Sequence, residues 1–147
     1  MKGTVALGGL LAAALCASAC PDLRINRPQI SGNHPIAAPS FSADIQPILT
    51  QSCATSGACH SGATSQLGLN LDAGQAFGNL VNVAAVLDPS LRRVNPTQPD
   101  SSFFILMMEG DAAKRGGGRR MPLSGTPLPV AVIQTMKNWI TNGAPNN

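Results

Sequence analysis

The stretch "CATSGACH", from Cys53 to His60, carries the chemistry on which any interpretation of this chain depends. Five small residues separate its two cysteines, and a histidine follows the second cysteine directly. Cysteine thiolates and a neutral imidazole are good metal ligands, and two thiols can also bond to each other or to another group. The fold and the function therefore depend on what these three side chains bind.

The N-terminal region is typical of an export signal of the lipoprotein type. Lys2 gives a positive start, and the apolar stretch "VALGGLLAAAL" is too short to span a bilayer and stop there. The stretch "ASAC", which ends at Cys20, resembles the bacterial lipobox, where the chain is cut before a cysteine that takes lipid. We expect a signal peptide over residues 1–19 and a lipid anchor at Cys20 on the periplasmic or outer-surface side of a membrane. An ordinary signal cleaved nearby is the alternative.

Removal of the signal leaves few cysteines in the folded part. Cys16 departs with the signal and Cys20 takes lipid, so that Cys53 and Cys59 are the remaining thiols. An exported protein meets an oxidising compartment, where free thiols seldom persist. These two cysteines should therefore be bonded to each other or to another group.

Composition and charge limit the partners and divide the chain. Charged residues make up only 12% and the formal net charge is +3, without a basic run interleaved with aromatics, so nucleic acid is not an expected partner. Residues 20–40 are rich in proline and polar residues, which predicts an irregular tether. His34 lies in it and is interpreted as a solvated residue. The domain is expected to occupy residues 41–147.

Apolar spacing predicts about four short helices and an all-α fold. Apolar residues at i, i+3 and i+4, with prolines suited to first turns, predict helices over residues 45–52, 72–80, 100–109 and 129–142. The candidate caps are Ser42 or Asp44, a capping box of Asp72 with Gln75, and Asp100 or Ser101, with Gly110 and Gly143 at C-terminal ends. No run alternates long enough to predict a strand.

Aromatic residues are scarce, with four Phe, one Trp and no Tyr. Large rings usually supply much of the buried area of a core. The scarcity is consistent with a core that includes a bound group, although Leu, Ile, Val and Met could also fill it.

The cysteine–histidine stretch suits a covalent haem in part. Such a site needs two thiols to add across the vinyl groups and an imidazole for the iron, usually from Cys-x-x-Cys-His. Cys59 and His60 keep the adjacent pair, whereas five residues instead of two separate Cys53 from Cys59. Met121 is the candidate for the opposite axial position, because it stands alone in a polar stretch. The other methionines lie in apolar surroundings and are interpreted as core residues: Met107, Met108 and Met136.

The segment from Phe41 to Ala144 resembles the single-haem cytochrome c domain of exported bacterial proteins, including those of the planctomycete type. The similarity lies in the order of "FSADIQPILTQSC", "ACH", "LGLNLDAGQAFGNLV", "NPTQPDSSFFILMM", "RMP" and "MKNWITNGAP". The resemblance implies a helical bundle around one covalent haem c and one-electron transfer between redox protein partners. The residues that it implies are Cys53 and Cys59 as thioether anchors, His60 and Met121 as axial iron ligands, and Trp139 packed near the haem.

The wide cysteine spacing departs from the pattern of this family. One outcome is attachment through Cys59 alone, and another is a maturation system that accepts a stretched motif. With His60 and Met121 both on iron, no position would remain for a small-molecule substrate, so the resemblance implies an electron carrier and not an enzyme. The protein would carry single electrons in the same way as a free carrier or as a subunit of a larger complex.

Three other interpretations remain open. A Cys53–Cys59 disulfide in a haem-free structural or interaction lipoprotein accounts for two exported thiols. Zinc held by Cys53, Cys59 and His60 would need a fourth ligand. A haem without Met121 as a ligand would leave an open iron position, as in a gas sensor or a peroxidase-like enzyme.

A basic cluster precedes Met121 in the sequence. A positive rim for an acidic redox partner is one interpretation, and a solvated loop or pairing with haem propionates are the others. Its members are Lys114, Arg115, Arg119 and Arg120.

Overall fold

The computed structural model describes residues 34–110, 118–123 and 126–147. The predicted signal peptide, Cys20, most of the predicted tether, Lys114 and Arg115 lie outside these residues. Within them the chain forms four α-helices and no β-strand, which confirms the all-α prediction at the level of fold class. None of the helices in this part is long and apolar enough to cross a membrane. His34 is exposed, as expected.

The four helices lie close to their predicted positions and are joined by turns. A π-helical turn at Phe41–Ile45 leads into the first helix. The α-helices are α1 (Gln46–Ser52), α2 (Ala76–Leu80), α3 (Phe103–Glu109) and α4 (Val130–Thr141). Two 3-10 turns occur at Gln66–Gly68 and Pro99–Ser101. Isolated backbone bridges join Val81 to Val94, Ala84 to Arg92 and Arg92 to Ser102.

The first helical segment begins before its predicted cap. The N-cap is Ser40 and not Ser42 or Asp44, and its hydroxyl accepts a hydrogen bond from the Ala43 N–H. The Asp44 carboxylate reaches back and accepts from the Ser40 N–H, with Oδ2 and N 2.8 Å apart. Asp44 therefore stabilises the N-terminus of the helix although it is not the N-cap residue.

The capping box predicted at Asp72 and Gln75 does not form. The Asp72 carboxylate accepts hydrogen bonds from the Ser61 hydroxyl and the Gly62 N–H, both at 2.8 Å. Gln75 is the N-cap of α2 and makes no side-chain cap bond. Because the loop after His60 uses the carboxylate, only residues 76–80 of the predicted segment are α-helical.

The third helix also starts later than predicted. The glycines predicted at the C-terminal ends of α3 and α4 are confirmed. Asp100 and Ser101 lie in the 3-10 turn, and Ser102 is the N-cap of α3 without a side-chain cap bond. Gly110 ends α3 in the left-handed conformation with φ 86°, and Gly143 follows α4 with φ 93°.

The helices pack around one main cluster of buried apolar side chains. Leu49 of α1, Ile105 of α3 and Ile140 of α4 are fully buried in it. Trp139 is also buried there, with its ring centroid 5.4 Å from that of Phe41. Aliphatic side chains fill most of this core, so the scarcity of aromatic residues does not by itself require a bound group.

A second, smaller buried cluster lies apart from the main one. It consists of Ala85, Phe103 and Met107, with Leu91 and Met121 packed against it. Helix α3 contributes to both clusters. The prediction that the other methionines are core residues is confirmed, since Met107, Met108 and Met136 are all buried.

The end of the predicted tether is hydrogen-bonded to the C-terminal helix. The Ile36 N–H donates to Thr135 Oγ1 at 3.0 Å, and Asn138 Nδ2 donates to the Ile36 carbonyl at 2.7 Å. The boundary drawn at Phe41 therefore falls within a hydrogen-bonded segment. Residues 36–40 pack with the domain because polar side chains of α4 hold their backbone.

Candidate functional site

The two cysteines and the histidine lie in an irregular loop after α1, as the sequence indicates. Cys53 is the C-cap of α1, and its carbonyl accepts the His60 N–H at 3.2 Å. The Cys59 N–H donates to the Ser56 carbonyl at 3.0 Å. These bonds fold the five intervening residues into a compact turn, so that the wide spacing still brings all three side chains into one loop.

The two thiols are not bonded to each other, and their surroundings differ. Cys53 packs against the main core; burial, and secondly the neighbouring Cys59, raise its pKa to about 11. Cys59 is partly exposed, and the hydroxyls of Thr55 and Ser56 donate to its sulfur at 3.5 Å each, which lowers its pKa. Because the thiolate is the nucleophile, Cys59 is the more reactive of the two.

His60 is held by its ring and by its backbone. Its Nδ1 lies 3.2 Å from the Leu69 carbonyl, and its own carbonyl accepts the Leu71 N–H at 2.8 Å. Since a carbonyl can only accept, the contact with Leu69 favours the tautomer that carries its proton on Nδ1 and leaves a lone pair on Nε2. Burial lowers the pKa of the imidazole, so the ring is neutral at pH 7. Metal-binding histidines in proteins are oriented in this way.

The fit to a c-type haem is good at Cys59 and His60 and weaker at Cys53. A reactive thiol directly precedes an imidazole whose Nε2 is available, which are two of the groups that haem c requires. Cys53 has a buried thiol of raised pKa, and its side chain packs against the main core. The first thioether is therefore the less favourable of the two.

Met121 and the cysteine loop pack against different apolar clusters. Its N–H donates to the Met107 carbonyl at 2.9 Å, and its half-buried side chain packs against the second cluster, which contains Phe103. Met121 therefore has apolar packing partners, although it stands alone in a polar stretch of the sequence. Cys53 packs on the main cluster and Met121 on the second, so a shared iron between His60 and Met121 stays a prediction.

Trp139 belongs to the cluster on which the cysteine loop packs. The residue is 1% exposed, and its Nε1 donates to the Pro145 carbonyl at 2.9 Å. Cys53 and Ala54 pack against the same cluster. Trp139 and the loop therefore pack on the same cluster, and contact of Trp139 with a haem stays a prediction.

The described members of the basic cluster behave differently from each other. Arg119 is exposed. Arg120 donates from Nε to the Met108 carbonyl at 3.0 Å, and its side chain lies against Gly110. Arg120 therefore connects the chain before Met121 to the end of α3, a structural role that the sequence analysis missed.

Arg93 lies near the loop of His60, and the sequence analysis did not single it out. It is 9% exposed, and its guanidinium donates to the carbonyls of Asn79 at 2.9 Å and Leu67 at 3.1 Å. Its positive charge is one of the factors that lower the pKa of His60. Arg92, the preceding residue, is exposed. Nothing in "LRRV" distinguishes the two arginines, because burial depends on which backbone segments come to surround each one.

Comparisons with protein-family models, curated proteins and solved structures find no match to this chain. Among the described residues, no group of three or more His, Cys, Asp or Glu side chains is placed to hold a metal ion. Zinc at Cys53, Cys59 and His60 therefore gains no support. A haem iron with a single histidine ligand does not need such a group.

Proposed function

We propose that this chain is a lipid-tethered monohaem c-type cytochrome that carries single electrons between redox proteins. The observation that supports it is the pair Cys59 and His60. A partly exposed thiol of lowered pKa directly precedes a neutral imidazole whose Nδ1 donates to the Leu69 carbonyl. The pair offers one sulfur for a vinyl group and one nitrogen for iron.

The residues of the loop have separate tasks in this proposal. Bound haem c supplies an iron that alternates between the ferric and ferrous states. His60 would hold that iron through Nε2, and the Leu69 carbonyl would keep the ring in the tautomer and orientation that this requires. Met121 is the proposed distal ligand, and Trp139 is proposed to pack near the ring.

The unequal thiols predict an order of attachment. Cys59 has the lowered pKa and Cys53 the raised one, so the Cys59 thioether should form more readily. If only one thioether bond forms during haem attachment, we expect that bond at Cys59.

The lipid on Cys20 would hold the carrier at a membrane surface on the exported side. Fifteen residues lie between Cys20 and Ile36, which is the first of the described residues that is hydrogen-bonded to α4. A fully extended chain of that length spans at most about 55 Å. The domain could therefore meet partners well clear of the lipid headgroups.

A five-coordinate haem, in a sensor or a peroxidase-like enzyme, is the second candidate. The observation that favours it is the packing of Met121 against Phe103 and Met107 of the second cluster. If Met121 stays there, it would not hold the iron, and a small ligand could bind in its place.

Intact mass spectrometry of the protein matured in its own host, with a digest covering residues 50–66, tests the main proposal. We expect the mass of one haem, with a thioether at Cys59 in every haem-bearing peptide. A colourless protein with a Cys53–Cys59 disulfide would contradict it and support the haem-free lipoprotein.

Carbon monoxide binding separates the carrier from the second candidate. We expect the ferrous wild-type protein to bind carbon monoxide slowly and Met121→Leu to bind it rapidly. Met136→Leu is the matched control, because Met136 is buried in the main core and its replacement should leave the binding slow. Rapid binding by the wild type would favour the sensor or enzyme.

A further inference from the structure

Arg93 is a buried cation that has no anionic partner in the described part of the chain. Only 9% of it is exposed, and it donates to the carbonyls of Asn79 and Leu67. A guanidinium has five N–H donors, so three remain for another acceptor. Within residues 34–110, 118–123 and 126–147, no carboxylate forms an ion pair with Arg93.

Burial of such a charge has a cost that an anion would reduce. Removing a guanidinium from water is unfavourable unless it is paired, and carbonyl dipoles compensate only part of the lost hydration. The same burial lowers the pKa of Arg93. The side chain is nevertheless held in place by two carbonyls from separate segments, which is a preformed arrangement for an anionic ligand.

The position of Arg93 associates that ligand with the loop of His60. Its charge acts on the imidazole, and Leu67, which accepts one of its bonds, lies in the turn between His60 and Leu69. Leu69 in turn holds the imidazole. The cation and the proposed iron ligand thus share one loop.

The charged groups of the neighbouring segments do not neutralise Arg93. The carboxylate of Asp72 accepts from Ser61 and Gly62, and that of Asp88 accepts from Ser90. Arg92 adds a second positive charge, and burial lowers the pKa of the half-buried His60, which favours its neutral form. An external carboxylate or similar anion is therefore the missing partner.

We propose that Arg93 binds a carboxylate of the haem, one of the two propionates of the ring. This inference rests on the proposed haem function. A guanidinium and a carboxylate can form two parallel hydrogen bonds, which hold the anion in one orientation. Arg93 would then orient the haem and keep that propionate ionised.

The test is the reduction potential of the haem-loaded, full-length protein measured between about pH 5 and pH 8. Removing a guanidinium partner should increase the proton affinity of the carboxylate about 10- to 1000-fold. In Arg93→Gln the propionate then protonates within this range, and loss of its negative charge disfavours ferric iron. We expect the potential of Arg93→Gln to rise relative to the wild type as the pH is lowered.

Arg92→Gln is the matched control. Arg92 is exposed and donates to the Asn82 carbonyl, so its replacement should leave the pH profile of the wild type. If Arg93→Gln does not accumulate, Arg93→Lys takes its place. Lysine keeps the charge without the planar fork and should show a smaller rise. A pH profile equal to that of the wild type in either Arg93 variant would overturn the inference.

Two further outcomes separate this inference from the function on which it rests. A colourless wild-type protein would overturn both. A haem-loaded protein whose potential depends on added inorganic phosphate in the wild type, but not in Arg93→Gln, would assign Arg93 to a soluble anion and overturn the propionate contact alone.

Discussion

Asp72 shows how one side chain can stabilise the loop of the candidate site. Its carboxylate accepts from the Ser61 hydroxyl and the Gly62 N–H, which directly follow His60. The Gly62 N–H, and secondly the Ser61 hydroxyl, lower the pKa of Asp72. The carboxylate therefore secures the chain immediately after the proposed iron ligand.

Asp72→Asn should lower the free energy of unfolding at pH 7. The pKa of Asp72 is lower in the folded state than the ordinary value of about 4, so its contribution is present above that pH and is lost as the pH falls through the folded value. The difference from the wild type should therefore shrink toward pH 3. Urea unfolding at both pH values measures it.

The control for this prediction is Asp88→Asn. The Asp88 carboxylate accepts hydrogen bonds from the N–H and the hydroxyl of Ser90, two residues further along its own turn. We expect little change at either pH. A destabilisation by Asp72→Asn that is equally large at pH 3 and pH 7 would show that the charge of Asp72 is not the cause.

Gly110→Ala should destabilise the protein. Gly110 has φ 86°, where a side chain costs about 1–2 kcal/mol, and an added Cβ would lie 2.9 Å from Arg120 Cδ. Displacement of Arg120 would also weaken its bond to the Met108 carbonyl. The free energy of unfolding in urea measures the loss.

Gly78→Ala is the opposite case in the same chain. Gly78 lies within α2, and a Cβ there would meet no atom within 4 Å. Alanine is the better helix former, so stability should increase by about 0.5–1 kcal/mol. Equal effects of the two substitutions would show that the left-handed backbone of Gly110 does not matter.

At the scale of elements, the length of a helix decided how well the sequence predicted it. The 12-residue α4 shows three turns of apolar periodicity, and its predicted and observed bounds differ by one residue at each end. Helix α2 has only five residues, so the pattern there could not separate a helix from the turn before it. The N-caps predicted for the first three helices were wrong, because the candidate polar side chains form hydrogen bonds or ion pairs with other groups.

Ile140→Ala tests the burial of α4. Ile140 is fully buried in the main core, so truncation should cost about 2–5 kcal/mol. Val130→Ala, at the exposed start of the same helix, should change stability by less than about 0.5 kcal/mol. Similar losses from both, measured in urea, would show that α4 does not pack as described.

At the scale of the whole molecule, the first and last described segments are joined. Ile36 is hydrogen-bonded to α4, and the Phe41 N–H and the Ser42 N–H donate to Asn147 at 2.9 Å and 2.8 Å. The segment that leads toward the proposed membrane anchor therefore leaves the domain beside its C-terminal helix. A pull on the tether would act on α4 before it reached the cysteine loop.

Thr135→Val should release this segment locally. Thr135 is fully buried and accepts the Ile36 N–H, which valine cannot do. We expect a loss of about 1 kcal/mol and faster hydrogen exchange at the Ile36 amide.

The control is Thr141→Val on the same helix. Thr141 is exposed, and its hydroxyl donates to the carbonyl four residues earlier, as that of Thr135 does. Exchange at Ile36 should stay as in the wild type. If Thr135→Val also leaves it unchanged, the segment is not held through Thr135.

By itself the sequence determined the groups available for chemistry and the all-α fold class. Two thiols and an imidazole in one loop, and apolar residues at helical spacing, are local features that can be read without knowing what surrounds them. Only the tertiary structure decided which thiol is reactive, which nitrogen of His60 is available, and that Arg93 is buried while Arg92 is exposed. Reactivity, tautomer and burial depend on neighbours such as Leu69 and Asn79, and folding alone brings those neighbours into contact.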